Sequence, residues 1–358
     1  MSKKDKKLHK KKHRGLKVFF GLVIVIVLFM VTINIIPPSK VMENNRFVAQ
    51  DGKTMLCAHR GGSVNNPENT LMAFKACVED YQTDIVETDF WLTKDEKLVY
   101  NHDGYIDRVS DVNGDKPLSE VMEMIEDESK RHYIKDYTLD ELRNFNFGYY
   151  FEDENGNRPY KILSDNPGAQ LLPAKRLALK AAGLQIVELD ELFDTFYETH
   201  PELLFNVEIK DPGEAGYKAG NLLDDSLTNK YPLYKSNVVV STFHDEIEKD
   251  LKINHPSLLR GASTGVATKF IITEILNVNL FDNDKFVALQ IPMSYDLGFT
   301  LKLDSKKYID AAHKRNIAVQ YWTINEKEDM EHLVDLGCDA IMSDNPKLLR
   351  SVLDAKQK

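Results

Sequence analysis

The chain has 358 residues, enough for one large domain with an appendage or for two ordinary domains. Its 42% hydrophobic and 28% charged content is that of a globular protein and excludes an intrinsically disordered one. Charge is uneven: residues 1–17 hold eight Lys and Arg14 against Asp5, a local +8, which leaves −18 on the rest of a chain whose net charge is −10. A body that acidic excludes nucleic acid as a partner, because it would repel the phosphate backbone.

The first element follows this basic cytoplasmic tail. Residues 18–36, VFFGLVIVIVLFMVTINII, carry no charge, and as a helix they would extend roughly 28 Å, close to the roughly 30 Å hydrocarbon core of a bilayer. A cleaved signal peptide normally has a shorter apolar stretch ending in a small-x-small site. Here the stretch runs into Asn34, Ile35, Ile36, Pro37 and Pro38, so it is expected to stay as one N-terminal transmembrane helix. Orientation follows the Lys/Arg bias of the flanks. The expectation is a single-pass membrane protein with its amino terminus in the cytoplasm and everything after Pro37 outside. Residues 37–54 then form a short linker.

From Met55 short apolar runs alternate with amphipathic segments. The expected strands are Met55–Ala58, Ile85–Asp89, Leu98–Asn101, Leu203–Ile209, Asn237–Thr242, Leu258–Ala262, Phe286–Ile291, Ile317–Trp322 and Ala340–Ser343. Helical patterns cover Asn69–Asp80, Asp245–Ile253, Ser305–Arg315 and Glu328–Leu336. Such alternation over residues 55–358 fits a closed (β/α)8 barrel or an open doubly wound α/β sheet. Nine strands are one too many for a plain barrel, and Thr93–Lys97 is too short for a helical crossover, so the second and third strands should depart from the repeat. Residues 104–183 lack a clear strand and read as an insertion in an early loop, with helix-like pieces at Leu118–Glu128 and Leu139–Phe145. The tetrapeptide Ser-Asp-Asn-Pro, at 164 and again at 343, looks like chance. Cys57, Cys77 and Cys338 lie far apart in apolar runs, which fits buried small hydrophobes and neither a disulfide framework nor a metal-ligand pattern.

Ionisable residues cluster at the strand ends, where barrel enzymes place their sites. His59-Arg60-Gly61-Gly62 follows the first strand and offers an imidazole and a guanidinium on a glycine-rich turn, a combination suited to phosphate. Glu87 and Asp89 are two apart on the second strand, so both face one side and can reach one ion. His102-Asp103 ends the third strand, and Glu208-x-Lys210 the fourth. Each piece alone also reads blandly, as a solvated strand face, a structural histidine or a surface charge. Four successive strands ending in ionisable groups favour a site. The all-oxygen set Glu87, Asp89 and Glu208 favours a hard cation over zinc or copper. Histidines titrate near neutral pH without perturbation, as acid/base work requires. Phe145, Phe147, Tyr149, Tyr150 and Phe151 of the insertion could wall a headgroup pocket or pack among themselves.

The segments HRGGSVNNPENTLMAF (59–74), ETDFWLTKDEKLVYNHD (87–103), NVEIKDPG (206–213), STFHDE (241–246) and QYWTINEKEDMEHLVDLGCDAIMSDNP (320–346) resemble the glycerophosphodiester phosphodiesterase family. That resemblance implies a TIM-type barrel, with Glu87, Asp89 and Glu208 binding one divalent cation, Ca2+ or Mg2+. It implies that His59 and His102 are the acid/base pair and that Arg60 and Lys210 contact the substrate phosphate, with Trp322 as a cavity wall or a core aromatic. The implied reaction is hydrolysis of glycerophosphodiesters to glycerol phosphate and an alcohol, by attack of water or by way of a cyclic phosphate. Which histidine acts first stays open. A lysophospholipase D-like activity and a teichoic-acid-directed phosphodiesterase are the alternatives. A catalytically inactive anchored binding module is the reading from a different class. The insertion and the absence of Pro-Thr near Val187-Glu188 depart from the family pattern and bear on substrate choice.

Overall fold

A computed structural model describes residues 16–29, 31–32, 36–164, 173–278, 280, 284–296 and 298–357. All nine expected strands are present: β1 (Met55–Ala58), β2 (Ile85–Leu92), β3 (Leu98–Tyr100), β4 (Leu204–Ile209), β5 (Val238–Ser241), β6 (Leu259–Arg260), β7 (Ala288–Ile291), β10 (Ala318–Tyr321) and β11 (Ala340–Ser343). A hairpin that the apolar pattern does not announce, β8 (Ser294–Asp296) with β9 (Thr300–Lys302), forms a separate two-stranded sheet.

Eight strands run parallel in the order β6-β5-β4-β2-β1-β11-β10-β7. A parallel bridge between Gly261 and Ala288 links the two ends of that order, beside the bond from Ala262 N to Ala288 O at 2.9 Å. The sheet is therefore a nearly closed (β/α)8 barrel of the TIM type. Its strands are buried on both faces, which is why Val238–Ser241 reads VVVS with no alternation. Outward side chains such as Val86, Phe205 and Val240 pack on the helices in one continuous core. Inside, Asn206, Gln320, Gln290 and Ser241 form a hydrogen-bonded polar layer, with Asn206 donating to Gln320 at 2.7 Å. As expected, β3 leaves the repeat. It pairs antiparallel with β2, Trp91 opposite Val99, because the intervening turn leaves no room for a crossover.

Helix starts follow local chemistry. Thr70 caps Leu71–Glu79 by accepting from Ala73 N, and Asn345 caps Pro346–Lys356 with proline in its first turn. The insertion carries short helices at Leu118–Met124 and Leu139–Leu142 and a longer one at Pro173–Ala182. Its apolar side chains form small clusters, shared in part with Trp91 of β2 and Val99 of β3. The three cysteines are free and buried.

The stretch expected as a linker is bonded to the barrel's N-terminal end. Val41 N donates to Arg315 O at 2.9 Å, Asn45 Nδ2 to Val287 O at 2.7 Å and to Asn316 O at 2.9 Å, and Ala49 N to Asp339 Oδ1 at 2.7 Å. Phe47 is fully buried against Cys57, Ile85, Val239 and Ala318 at the base of the strands. Of the expected transmembrane span, residues 30 and 33–35 lie outside the described residues. Residues 16–29 and 31–32 are helical, and apolar side chains such as Phe19, Ile24 and Phe29 are exposed. Among the described residues no helix is long and apolar enough to cross a membrane.

Candidate active site

The loops at the C-terminal ends of the strands surround a cavity of about 540 Å³. His59, Arg60, Glu87, Asp89, His102, Glu208, Lys210 and Trp322, all singled out in the sequence, line it together.

His59 and Arg60 leave β1 in a single tight turn, with Arg60 at φ 52° in the left-handed region, a conformation costing roughly 1–3 kcal/mol for a residue with a side chain. That turn points Arg60 N at Glu87 Oε2, 3.0 Å away. Gly62 is required next. Its φ is 96°, and a Cβ there would lie 2.5 Å from Pro346 Cγ, so only glycine lets the first loop close on the last one. The closure brings His59 Nδ1 within 2.6 Å of Asp344 Oδ1. Asp344 is fixed in turn by Ser63 Oγ at 2.9 Å and Asn325 Nδ2 at 2.8 Å. Burial opposes the charge on the His59 ring, but Glu87 and Asp344 outweigh it and raise its pKa. Burial likewise acts against Asp344, and the His59 bond holds it well below the usual carboxylate range.

The second histidine is mounted in the same way. His102 Nδ1 lies 2.9 Å from Asp103 Oδ1, and Asp103 Oδ2 accepts from Arg108 Nε at 2.7 Å. The Arg108 guanidinium also grips Glu68 through two bonds of 2.9 and 2.6 Å, and Glu68 reaches Arg60 at 3.3 Å. One ionic chain thus ties the loop of the first histidine to that of the second.

Beside them stand the carboxylates, with Glu87 Oε2 3.8 Å from His59 Nε2. The parallel register puts Asp89 beside Glu208, and Lys210 Nζ lies 3.0 Å from Asp89 Oδ1 and 2.8 Å from Glu208 Oε1. Burial and then the Asp89 charge push Glu87 up to about 7. Burial also raises Glu208, with Lys210 partly offsetting it. The sequence-predicted ligand set is brought to one wall, but among the described residues no three such side chains are gathered tightly enough to hold a metal as they stand. The cation lying between Asp89 and Glu208 is the Lys210 ammonium. The donors nevertheless fit a hard cation. They are all oxygen, Asp89 Oδ2 is buried without a hydrogen-bond partner, and burial with the Asp89 charge holds the Glu87 carboxyl up.

Trp322 is half-buried in the cavity wall, its ring 6.3 Å from that of Phe243 in an edge-on contact. The aromatic run of the insertion does not wall the cavity. Phe147, Tyr149 and Tyr150 are buried in the insertion's own clusters, where their rings have apolar neighbours, and Phe145 and Phe151 are also absent from the cavity lining. Sequence reasoning missed Asp344. It lies in the second Ser-Asp-Asn-Pro, whose Ser343 bonds Asn325 and whose Asn345 caps the last helix. A helix-capping signature straight after a barrel strand was the available signal.

Two imidazoles backed by carboxylates, two cations and three acidic side chains around one cavity can bind a phosphodiester and move protons on both sides of it. The comparisons with known proteins agree. Residues 59–348 match the glycerophosphoryl diester phosphodiesterase family, and the chain belongs to it. It is accordingly a phosphoric diester hydrolase. The glycerophosphodiester phosphodiesterase of Caldanaerobacter subterraneus subsp. tengcongensis is 27% identical over 301 residues, which cover 83% of this chain and 96% of that one. The fold is similar to that of a glycerophosphoryl diester phosphodiesterase domain from Mycobacterium tuberculosis, at TM-score 0.61 and 15% identity over 85% of this chain and 98% of that one. An Oleispira antarctica phosphodiesterase in complex with the product sn-glycerol-3-phosphate shares the fold at TM-score 0.53 and 18% identity, over 84% and 97% of the two chains.

Proposed function

We propose that the chain hydrolyses glycerophosphodiesters to glycerol phosphate and an alcohol, with His59 and His102 as the acid/base pair and Arg60 and Lys210 on the phosphate. The observation that carries this is the double mounting of the histidines: each has Nδ1 held by an aspartate, which leaves Nε2 for proton transfer, that of His59 lying 3.8 Å from Glu87 Oε2. One imidazole takes the proton of the attacking hydroxyl, from water or from the glycerol 2-hydroxyl, as that oxygen bonds to phosphorus. The other gives a proton to the alcohol oxygen as its P–O bond breaks. On the 2-hydroxyl route a cyclic phosphate forms, and water opens it with the roles reversed. Glu87, Asp89 and Glu208 would hold one Ca2+ or Mg2+ ion, which supplies charge neutralisation at the phosphoryl oxygens. Complete histidine–aspartate pairs argue against an inactive binding module.

Turnover of glycerophosphocholine should vanish in EDTA and return with calcium or magnesium. His59→Ala and His102→Ala should each lose about 10²–10⁴-fold, and the double variant little more, because the two act as a unit. Full turnover after exhaustive chelation overturns the metal assignment. Near-normal turnover in either single variant makes that histidine structural.

The same reading keeps residues 18–36 as a membrane anchor with the barrel outside the cytoplasm. It is supported by the +8 flank and by exposed apolar side chains along the helical residues 16–29. Protease added to intact cells should then degrade the barrel and spare a small membrane-bound fragment. A barrel protected until permeabilisation reverses the orientation, and a soluble product starting near residue 38 makes the segment a cleaved signal.

A further inference from the structure

Residues 41–49 join the barrel at one end. Val41 is bonded to Arg315, Asn45 to Val287 and Asn316, and Ala49 to Asp339, while Arg46 donates to Asn237 Oδ1. Those partners precede β10, β7, β11 and β5, so each lies at the N-terminal end, away from the cavity. The apolar segment 18–36 ends just upstream. From Ile36 to Val41 there are five peptide steps, at most about 18 Å when fully extended.

The cavity is farther from that entry than the tether reaches. Seven steps separate Arg315 at the base from Trp322 in the cavity wall. They amount to about 23 Å of strand, or about 19 Å along the barrel axis once strand tilt is allowed for. The loops of the mouth stand beyond Trp322. A barrel turned mouth-down on the bilayer that holds residues 18–36 would therefore lift Val41 out of reach of Ile36.

The base also carries uncovered apolar surface. Leu233 lies in the turn Pro232–Ser236 before β5, Ile253 in the last turn of the helix Asp245–Asn254 before β6, and Leu276 at the end of the helix Thr264–Ile275 before β7. They are 57, 63 and 57% exposed, on neighbouring connections beside the Val287 carbonyl that holds Asn45. Phe243 and Phe299 are exposed at the mouth as well, so exposure by itself does not choose an end. The tether does. Apolar side chains held against a bilayer leave water for the boundary between headgroups and acyl chains, which favours the contact.

We propose that the N-terminal face of the barrel is a membrane-docking surface, resting on the bilayer that residues 18–36 enter. The cavity then opens away from that bilayer, and the phosphodiester reaches it from the aqueous side, not out of the leaflet beneath. The proposal rests on the anchor reading above and adds the orientation of the barrel to it.

The test uses the full-length chain in lipid vesicles with one reporter cysteine at a time. Leu233→Cys and Ile253→Cys report on the base, Val64→Cys and Phe299→Cys on the mouth. The native cysteines are buried and stay unlabelled. With a fluorophore on the reporter and a nitroxide on the lipid headgroups, both base labels should be quenched and both mouth labels should not. Ile253→Glu, added to the Leu233→Cys reporter, removes one apolar contact and should lower the ratio of docked to free barrel by about tenfold. Where its melting temperature falls, Leu276→Glu takes its place. Three results overturn the docking and leave the anchor intact: quenching as strong at the mouth as at the base, quenching at none of the four positions while the chain stays in the vesicles, or a ratio that the folded variant does not move. A chain that parts from the vesicles, whole or cut near residue 38, overturns anchor and docking together. Hydrolysis plays no part in the readout, so a failure of the hydrolase reading is seen separately, in the turnover assay.

Discussion

The two ends of the barrel treat buried polar groups in opposite ways. At the N-terminal end Asn45 satisfies two carbonyls, and Asp339 accepts from Ala49 N, Val319 N at 2.6 Å and the His313 ring at 2.8 Å. Phe47 closes that end with no exposed surface. At the C-terminal end Asp89 Oδ2 accepts no hydrogen bond, Glu87 is held up by burial and by its neighbour's charge, Arg60 sits in the left-handed region and Phe243 is 58% exposed. The same strands run through both ends, so the difference belongs to what the strand ends and their loops carry. One set is matched for stability. The other keeps electrostatic and apolar deficits that a substrate and its counter-ion can fill.

That contrast predicts opposite responses to substitution. The largest effect is expected from Glu87→Gln, which should lower turnover by about 10²–10³-fold, as loss of a preorganised charged group does. Its stability should not suffer. Because the folded pKa of Glu87 is raised, the fold disfavours the ionised form. That penalty is absent below the ordinary value of about 4.5 and complete above the raised one. Melting in EDTA at about pH 8 should therefore show the variant at least as stable as the wild type. A loss of several degrees would break the contrast.

Phe47→Ala should do the reverse. Emptying a fully buried phenylalanine site costs about 3–5 kcal/mol, seen as a shifted denaturant midpoint, while KM and kcat of the protein that remains folded stay near normal. Tenfold loss of kcat would show that the two ends are coupled.

The smallest effect concerns His313, whose bond to Asp339 raises its pKa against the lowering by burial. A raised histidine pKa means that its contribution is full below the unfolded value of about 6.5 and is lost as pH rises through the folded one. The melting deficit of His313→Gln should therefore be larger near pH 5 than near pH 9. A deficit that grows with pH would show that His313 acts there as a neutral ring.

How far these features could be read in advance depended on how local they are. Most of the nine strands were legible because a strand buried on both faces reads as a near-continuous apolar run. The antiparallel β3 was legible because five residues from Thr93 to Lys97 leave no room for a crossover. Glu87 and Asp89 announced a shared face through the strand period of two. The helix Thr264–Ile275 was not identified: its mean character is apolar on most sides, so it shows little periodicity. The hairpin is formed of short, exposed strands without an apolar run. The part of the cavity wall that the two supply was correspondingly invisible. Asp344 was passed over because its partner His59 is 285 residues away.

The sequence by itself determined the alternation of strands and helices, the identity of the ionisable groups at the strand ends, and the uneven charge, since each depends on residues a few positions apart. Tertiary structure alone decided that His59 is held by Asp344, that Asp103 is tied through Arg108 to Glu68, and that Lys210 lies between Asp89 and Glu208. It alone decided too that the insertion's aromatics pack inward while the cavity extends toward Ile272 and Leu301. Barrel closure is the physical reason: it brings the last strand beside the first and the loops of β6 and β7 opposite those of β1 to β4, pairings between residues that no local pattern relates.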